Sequence, residues 1–275
     1  MQEPILSLLF PLYRSRPYFN NLLHQIGQLS DKRYEIIISD RHCCDDTIDR
    51  LQNMFKNDSR FIFIKSDDCL DWTNHYNVLL GKARGKYFCW IPHDDNYGPS
   101  YFPKLIDALE TQRNAIVAFA TMQVQGKKWE IDYSIFKGTY HHPFTCNEYI
   151  NLFNSGLLGI PFRGVFKRKI IIEKKLWIDQ NKKLKGFQDL LWVFSVLLHG
   201  GLIYTEQTYC VKNFADGSAH SPWHIKMMSK RNPYVLQLLY TYIYTSELPI
   251  ATKLKLSINF LIPSYMRNFT NKRLS

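Results

Sequence analysis

Five apolar runs of strand length alternate with four helical periodicities over the first 125 residues. That alternation predicts an α/β fold: a mostly parallel sheet flanked by helices, followed by a helical C-terminal extension. A second observation supports it. Three of the runs lead into acids: Asp40, Asp67 with Asp68, and Asp94 with Asp95. In a parallel sheet these ends share one rim, where open α/β folds hold their ligands. Third, 275 residues with 45% apolar content suffice for one large core plus an extension. We therefore expect a domain over 1–222, divided at about 125 into a first and a second half, and an extension over 223–275.

The elements follow in order. Ile5 to Phe10 reads as the first strand, ending at Pro11-Leu12-Tyr13. Ser15 then suits a helix cap, with Pro17 early in the helix and Phe19, Leu22, Leu23, Ile26 and Leu29 at helical spacing. Tyr34 to Ser39 is a strand closed by Asp40, and a helix follows from Thr47. Phe61 to Ile64 is the third strand, and a helix over about Thr73 to Arg84 stops at Gly85. The fourth strand runs from Tyr87 into Pro92-His93-Asp94-Asp95-Asn96, and Pro99 opens the next helix. Ala115 to Val124 is the fifth strand.

The second half is less regular. Thr145 and Glu148 have the spacing of a capping box. Phe162 to Lys167 reads as a strand, Gln188 to His199 as an amphipathic helix, and Leu202 to Thr205 and Thr208 to Lys212 as two short strands. A polar loop over Asn213 to Trp223 contains His220.

Charge and cysteine usage narrow the function classes. The net charge is +11, from 35 Lys and Arg against 24 Asp and Glu, which points to an anionic partner. The excess sits towards the back: from Trp223 to Ser275 there are eight basic residues and one acid, Glu247. The six cysteines have no CxxC spacing, so neither a zinc site nor a disulfide framework is expected, and a reducing, cytoplasmic setting is. No signal peptide is expected ahead of the first strand, and no window of 18 apolar residues suggests a transmembrane helix. Nucleic acid is excluded as a partner because the predicted rim is acidic and would repel a phosphate backbone.

Tyr87 to Asn96 carries the clearest chemistry. Two adjacent carboxylates at the end of a buried strand need compensation, and oxygen ligands suit Mg²⁺ or Mn²⁺. The plain alternative is that Asp94 and Asp95 begin a solvated turn.

The order of motifs over residues 4 to 213 resembles family 2 glycosyltransferases of the GT-A fold. The matching positions are Pro11-Leu12-Tyr13, Asp40 with Thr47, then Asn77, Ala83, Gly85 and Tyr87 at spacings of six, eight and ten, then His93-Asp94-Asp95-Asn96 with Pro99, and Gly186-Phe187-Gln188-Asp189 ahead of Leu190, Leu191 and Trp192. The resemblance implies a nucleotide-sugar donor, most readily a UDP-sugar, bound by Pro11, Tyr13, Asp40, Asp67, Asp68, Asn77 and Asp94. It implies a divalent metal, Mn²⁺ or Mg²⁺, held by Asp95 with Asp94, and His220 as a further ligand. It implies Asp189 as the general base of an inverting transfer to a glycan or lipid-linked acceptor in surface polysaccharide or glycoconjugate synthesis. Trp223 and His224 would close over the donor, and Arg163 and Lys212 would meet phosphate. The sequence departs from the family pattern at four positions: Pro92 stands where the strict Asp-x-Asp has its first acid, Arg41 replaces a second acid after Asp40, Tyr76 replaces Arg before the Asn, and Gln188 replaces Glu before Asp189. An inactive nucleotide-binding relative is the alternative these departures keep open.

Two amphipathic helices are expected in the extension, one with Val235, Leu238, Leu239, Tyr242 and Ile243 and one with Leu254, Ile258, Leu261 and Ile262, near Lys253, Lys255, Arg267, Lys272 and Arg273. Such helices suit peripheral attachment to the anionic inner face of a membrane. Packing on the domain or a homodimer contact are the other readings.

Overall fold

The computed structural model describes residues 3–41, 45–66, 70–125, 131–138, 141–184, 186–213 and 233–263. Its strands form one eight-stranded sheet in the order β3-β2-β1-β4-β7-β6-β8-β5. In chain order the elements are β1 (Leu6–Leu12), α1 (Phe19–Gly27), β2 (Tyr34–Asp40), α2 (Thr47–Phe55), β3 (Phe61–Lys65), α3 (Trp72–Lys82), β4 (Tyr87–Trp90), β5 (Asn96–Tyr97), α4 (Tyr101–Thr111) and β6 (Ala115–Val124). The second half adds α5 (Cys146–Ser155), β7 (Val165–Lys167), α6 (Arg168–Glu173), α7 (Gln188–Leu197) and β8 (Gly201–Lys212). Two helices follow, α8 (Pro233–Thr245) and α9 (Ile250–Leu256), the latter running on into a π-helical turn over Ser257–Leu261.

β1 pairs in parallel with β2 and β4, and β2 with β3, as a wound α/β half requires. Successive side chains of β1 point to opposite faces. Leu8 and Phe10 enter the layer covered by α1, α2 and α4, while Leu9 enters the layer covered by α3, α5 and α7. The second layer also takes Val235, Leu239 and Ile243 of α8 and Leu256 of α9, so the C-terminal helices share the main core.

β7 and β5 are the antiparallel members. β7 inserts between β4 and β6 and opposes both, while β5 opposes β8. The strand expected from Phe162 begins only at Val165, because Pro161 starts a short 3-10 turn over Pro161–Arg163. Gly164 makes the junction possible: a methyl group there would stand 2.4 Å from the Ala118 carbonyl. The two short strands expected around 202–212 are one strand, β8, whose pairing with β6 shifts register between Ala120 and Thr121. The helix expected at Pro99 starts at Tyr101, with Pro99 in the preceding turn. The capping box forms as expected: Thr145 Oγ1 accepts from Glu148 N–H, and Glu148 accepts from Thr145 N–H at 2.7 Å.

Candidate active site

The site lies past the end of β4, where the chain turns through residues 91–95 before β5. α1 holds this turn from one side. Asn21 Nδ2 donates to the His93 carbonyl at 2.8 Å and to that of Asp95, and Gln25 Nε2 donates to the Asp95 carbonyl. Ser15 does not cap the helix as its sequence position suggests. Its hydroxyl contacts His93 Nδ1 at 2.7 Å and accepts from Tyr13 N–H, while the Tyr18 ring stacks on His93 at 4.4 Å.

The two adjacent acids have different surroundings. Asp95 is fully buried; its Oδ2 accepts from Arg163 Nε at 2.6 Å, and its Oδ1 lies 3.0 Å from Lys212 Nζ. Asp94 retains 20% side-chain exposure and meets Lys212 Nζ at 3.2 Å. Topology brings both cations here. β7 runs antiparallel to β4, so Arg163, just ahead of β7, falls beyond the end of β4. β5 pairs Asn96 with Val211, which places Lys212 beside the acids, and Asn213 Nδ2 donates to the Asp94 carbonyl at 2.6 Å. Tyr101 Oη fixes Arg163 further by donating to its carbonyl at 3.0 Å. Burial pushes the Arg163 guanidinium towards its neutral form, but Asp95, Cys210 and Tyr97 together outweigh it and hold its pKa above the usual value.

Asp189 occupies the first turn of α7, where the helix dipole favours a carboxylate. Its Oδ1 accepts from Leu190 N–H at 2.8 Å. A methyl group on Gly159 would stand 3.5 Å from Asp189 Oδ2, and the Gly159 carbonyl accepts from Arg163 Nη1 at 3.4 Å. Asp189 and Arg163 thus flank one residue. The Tyr76 phenol lies within electrostatic reach of these groups. Burial raises its pKa, Arg163 opposes the rise, and Asp94, Asp95 and Asp189 all add to it. An aromatic cluster sets the distance between the end of β4 and the start of α7. Trp90 meets Trp192 edge-on at 4.7 Å and stacks on Phe162 at 4.7 Å, and Phe162 stacks on Tyr76.

A second group of polar side chains lies at the ends of β1 and β2. Register sets Pro11 beside Ser39 and Leu12 beside Asp40, which is buried. The Arg41 guanidinium covers the Tyr13 ring at 3.8 Å. His75 of α3 is buried beneath, and its pKa falls to about 4, first through burial and then through the Arg41 charge, so it is neutral at pH 7. His75 Nε2, Ser39 Oγ and Arg41 Nε have no hydrogen-bond partner among the described residues, and such orphans suit the polar edge of a ligand. His75 and Arg41 were not predicted as binding residues. A signal for His75 was present: it stands four residues before Leu79, on the apolar face of α3.

Asn77, expected at the donor, has its side chain on Ile178. Its amide donates to the Ile178 carbonyl at 2.8 Å and accepts from Ile178 N–H at 2.9 Å, clasping α3 to the segment after α6. Gly85 packs so closely that a methyl group would lie 2.7 Å from Ser7 N. These spaced positions set the entry into β4. Asp67, Asp68, His220, Trp223 and His224 lie outside the described residues.

No group of three metal-ligating side chains forms among the described residues. A Mg²⁺ or Mn²⁺ ion that bridges a diphosphate needs less: one or two carboxylates, substrate oxygens and water. Asp94, partly exposed beside the turn, fits that need. Asp95 is fully buried, with Oδ2 bonded to Arg163 and Oδ1 3.0 Å from Lys212 Nζ but without a hydrogen-bond partner among the described residues.

Comparison with known proteins agrees with this architecture. The family model "Glycosyl transferase family 2" matches residues 7–173. An uncharacterized glycosyltransferase of Haemophilus influenzae is 29% identical over 107 residues, covering 39% of this chain and 33% of that protein. TuaG of Bacillus subtilis, named as a teichuronic acid biosynthesis glycosyltransferase, is 27% identical over 105 residues, covering 38% of this chain and 42% of that protein. The chain thus spans a third to less than half of these relatives. Among solved structures, Staphylococcus aureus TarS (residues 1–349) superimposes with a TM-score of 0.71 at 16% identity, covering 92% of this chain and 69% of that one. The mannosyltransferase PcManGT of Pyrobaculum calidifontis, in complex with GDP-Man and Mn²⁺, gives 0.62 at 12% identity, covering 100% and 76%. TarS has also been solved with UDP-GlcNAc. The family model covers more than half of the chain, and the fold is that of the GT-A glycosyltransferases: the chain belongs to glycosyl transferase family 2.

Proposed function

We propose that this protein transfers a sugar from a nucleotide-sugar donor, a UDP-sugar first among candidates, to a glycan or lipid-linked acceptor in surface polysaccharide synthesis, with inversion at the anomeric carbon. The observation that carries this reading is that Arg163 links the acids after β4 to the start of α7: its Nε donates to Asp95 Oδ2 at 2.6 Å and its Nη1 to the carbonyl of Gly159, the residue that Asp189 Oδ2 lies against. A base at one wall and a charged diphosphate site at the other leave the sugar between them.

The chain's residues divide the work. Tyr13, Asp40, Arg41 and His75 hold the base and ribose, and Arg41, His75 and the neighbouring Ser39 have orphaned polar atoms to offer. Lys212 and Arg163 keep the turn rigid by neutralising Asp95, and Lys212 adds positive charge where a diphosphate would lie. Asp94, rather than Asp95, would hold the divalent cation. When bound, that ion neutralises charge on the leaving diphosphate. Asp189 takes the proton of the attacking acceptor hydroxyl. With one base and no second carboxylate assigned to attack the sugar, direct displacement is the reading, which inverts the anomeric centre.

The fold of TarS and its complex with UDP-GlcNAc support a UDP-sugar, and PcManGT with GDP-Man keeps GDP-sugars in the comparison. A panel of nucleotide sugars, assayed for release of UDP or GDP with Mn²⁺ present, tests the proposal. Release from one donor, dependent on an added acceptor, is expected. Tight nucleotide binding with no release from any donor would instead favour an inactive binding protein, the reading that Pro92 and Arg41 keep in play.

A further inference from the structure

We propose that the outer face of α9 and its π turn is a docking surface for an anionic lipid bilayer. Four large aliphatic side chains stand at four-residue intervals on this face: Ile250, Leu254, Ile258 and Ile262, exposed by 75%, 51%, 61% and 54%. The other side of the same segment is committed to the domain. Leu256, Phe260 and Leu261 are buried in the main core, and Phe260 meets Phe153 of α5 edge-on at 5.2 Å. The helix has one apolar side for the protein and a second that no described residue covers.

The local geometry favours a straight stripe. In an α-helix, a four-residue step overshoots one turn by about 40°, so a stripe at this spacing winds around the axis. The π turn over Ser257–Leu261 carries more residues per turn and takes back part of that drift between Ile258 and Ile262. α8 extends the face. Tyr244 Oη bonds to Ser257 Oγ at 2.8 Å, and the exposed Tyr240 ring packs on Tyr244 at 4.3 Å. Tyrosines with an apolar ring and a polar tip suit the boundary between headgroups and acyl chains.

Charge selects the occupant. From Pro233 to Ser275 the sequence holds Lys253, Lys255, Arg267, Lys272 and Arg273 against one acid, Glu247, and Glu247 is paired with Lys174. An apolar stripe with exposed Lys255 on one side, Lys253 (whose Nζ donates to the Tyr244 and Ser246 carbonyls) on the other, and no free acid on it is the pattern of a helix lying in an anionic interface. A second copy of this chain would bring the same lysines against these. No helix among the described residues is long and apolar enough to cross a membrane, so the attachment is to the surface.

The test is co-sedimentation of the full chain with vesicles of phosphatidylcholine alone and of phosphatidylcholine with a quarter phosphatidylglycerol. Expected is binding to the anionic vesicles that weakens with added salt, and little to the neutral ones. Leu254→Asp combined with Ile258→Asp should lower the partition coefficient at least about tenfold while leaving the melting temperature in place, since both side chains are already exposed. Lys255→Glu should lower it by a smaller factor. Absence of binding to either vesicle, or equal binding by wild type and the double variant, would overturn the proposal. So would a wild-type dimer in light scattering that the double variant abolishes, because the face would then be a self-contact.

Discussion

The two walls of the proposed site are built in different ways. The front wall, β1 to β4 with α3, supplies acids and a neutral imidazole from the ends of parallel strands and the helix packed behind them. The back wall, from Gly159 to Lys212, supplies cations and the proposed base from a 3-10 turn, a helix start and the far end of β8. They meet at Asp94 and Asp95. Burial and two cations make Asp95 a tie between the walls, while Asp94, one residue earlier, remains partly exposed. Neighbouring residues of one type thus acquire different parts from the contacts that the back wall brings.

The largest effect should come from cutting that tie. Arg163→Met would leave a buried carboxylate facing only Lys212, at a cost of about 3–5 kcal/mol in denaturant unfolding. An effect below about 1 kcal/mol would mean that the two walls are held together elsewhere, by the Trp90–Trp192 cluster.

His75 makes the front wall sensitive to acid. Its pKa in the fold is about 4, below the ordinary 6.5, so the unfolded chain binds the extra proton first as pH falls. The contribution is intact above about pH 6.5 and is lost progressively down to about pH 4, with a limit of about 3 kcal/mol. Urea unfolding across this range should show the loss in wild type and a shallower slope in His75→Gln. Parallel slopes would remove the buried imidazole from the account.

The two acids can be compared directly. Asp94→Asn should cut donor turnover about a hundredfold, an effect of the size seen when one charge-stabilising contact is lost, with little change in stability. Asp95→Asn should instead destabilise the protein, because Arg163 and Lys212 lose their partner. The reverse pattern would make Asp95 the ligand. The smallest effect is expected at the capping box, remote from the tie: Thr145→Ala should cost about 1 kcal/mol and leave turnover as it is.

Much of the front wall was legible in the sequence, because it rests on local periodicity. Strand runs, helical spacings and the Asn77-Ala83-Gly85-Tyr87 series all lie within a few turns of chain from the acids they position. What that series does was not legible: Asn77 turned out to clasp Ile178, a partner 101 positions away. The back wall was harder for the same reason. Its helix start at Asp189 could be read from Gln188 onward, but the insertion of β7 between β4 and β6 is a long-range pairing, and no periodicity announces it. Arg163 and Lys212 were expected to meet phosphate; only the β5–β8 and β4–β7 registers show that they lie on Asp94 and Asp95. The expectation of Asp95 as the direct metal ligand rests on motif position; the structure adds that Asp95 is buried between two cations while Asp94 is partly exposed.

The central claim is that Asp189 serves as the base of a transfer reaction while the front wall binds the donor. The measurement that tests it most directly pairs nucleotide binding with acceptor-dependent UDP or GDP release in Asp189→Asn. The account predicts nucleotide affinity within about twofold of wild type and release lowered at least about a hundredfold, the range of a lost general base. Release at the wild-type rate would contradict it.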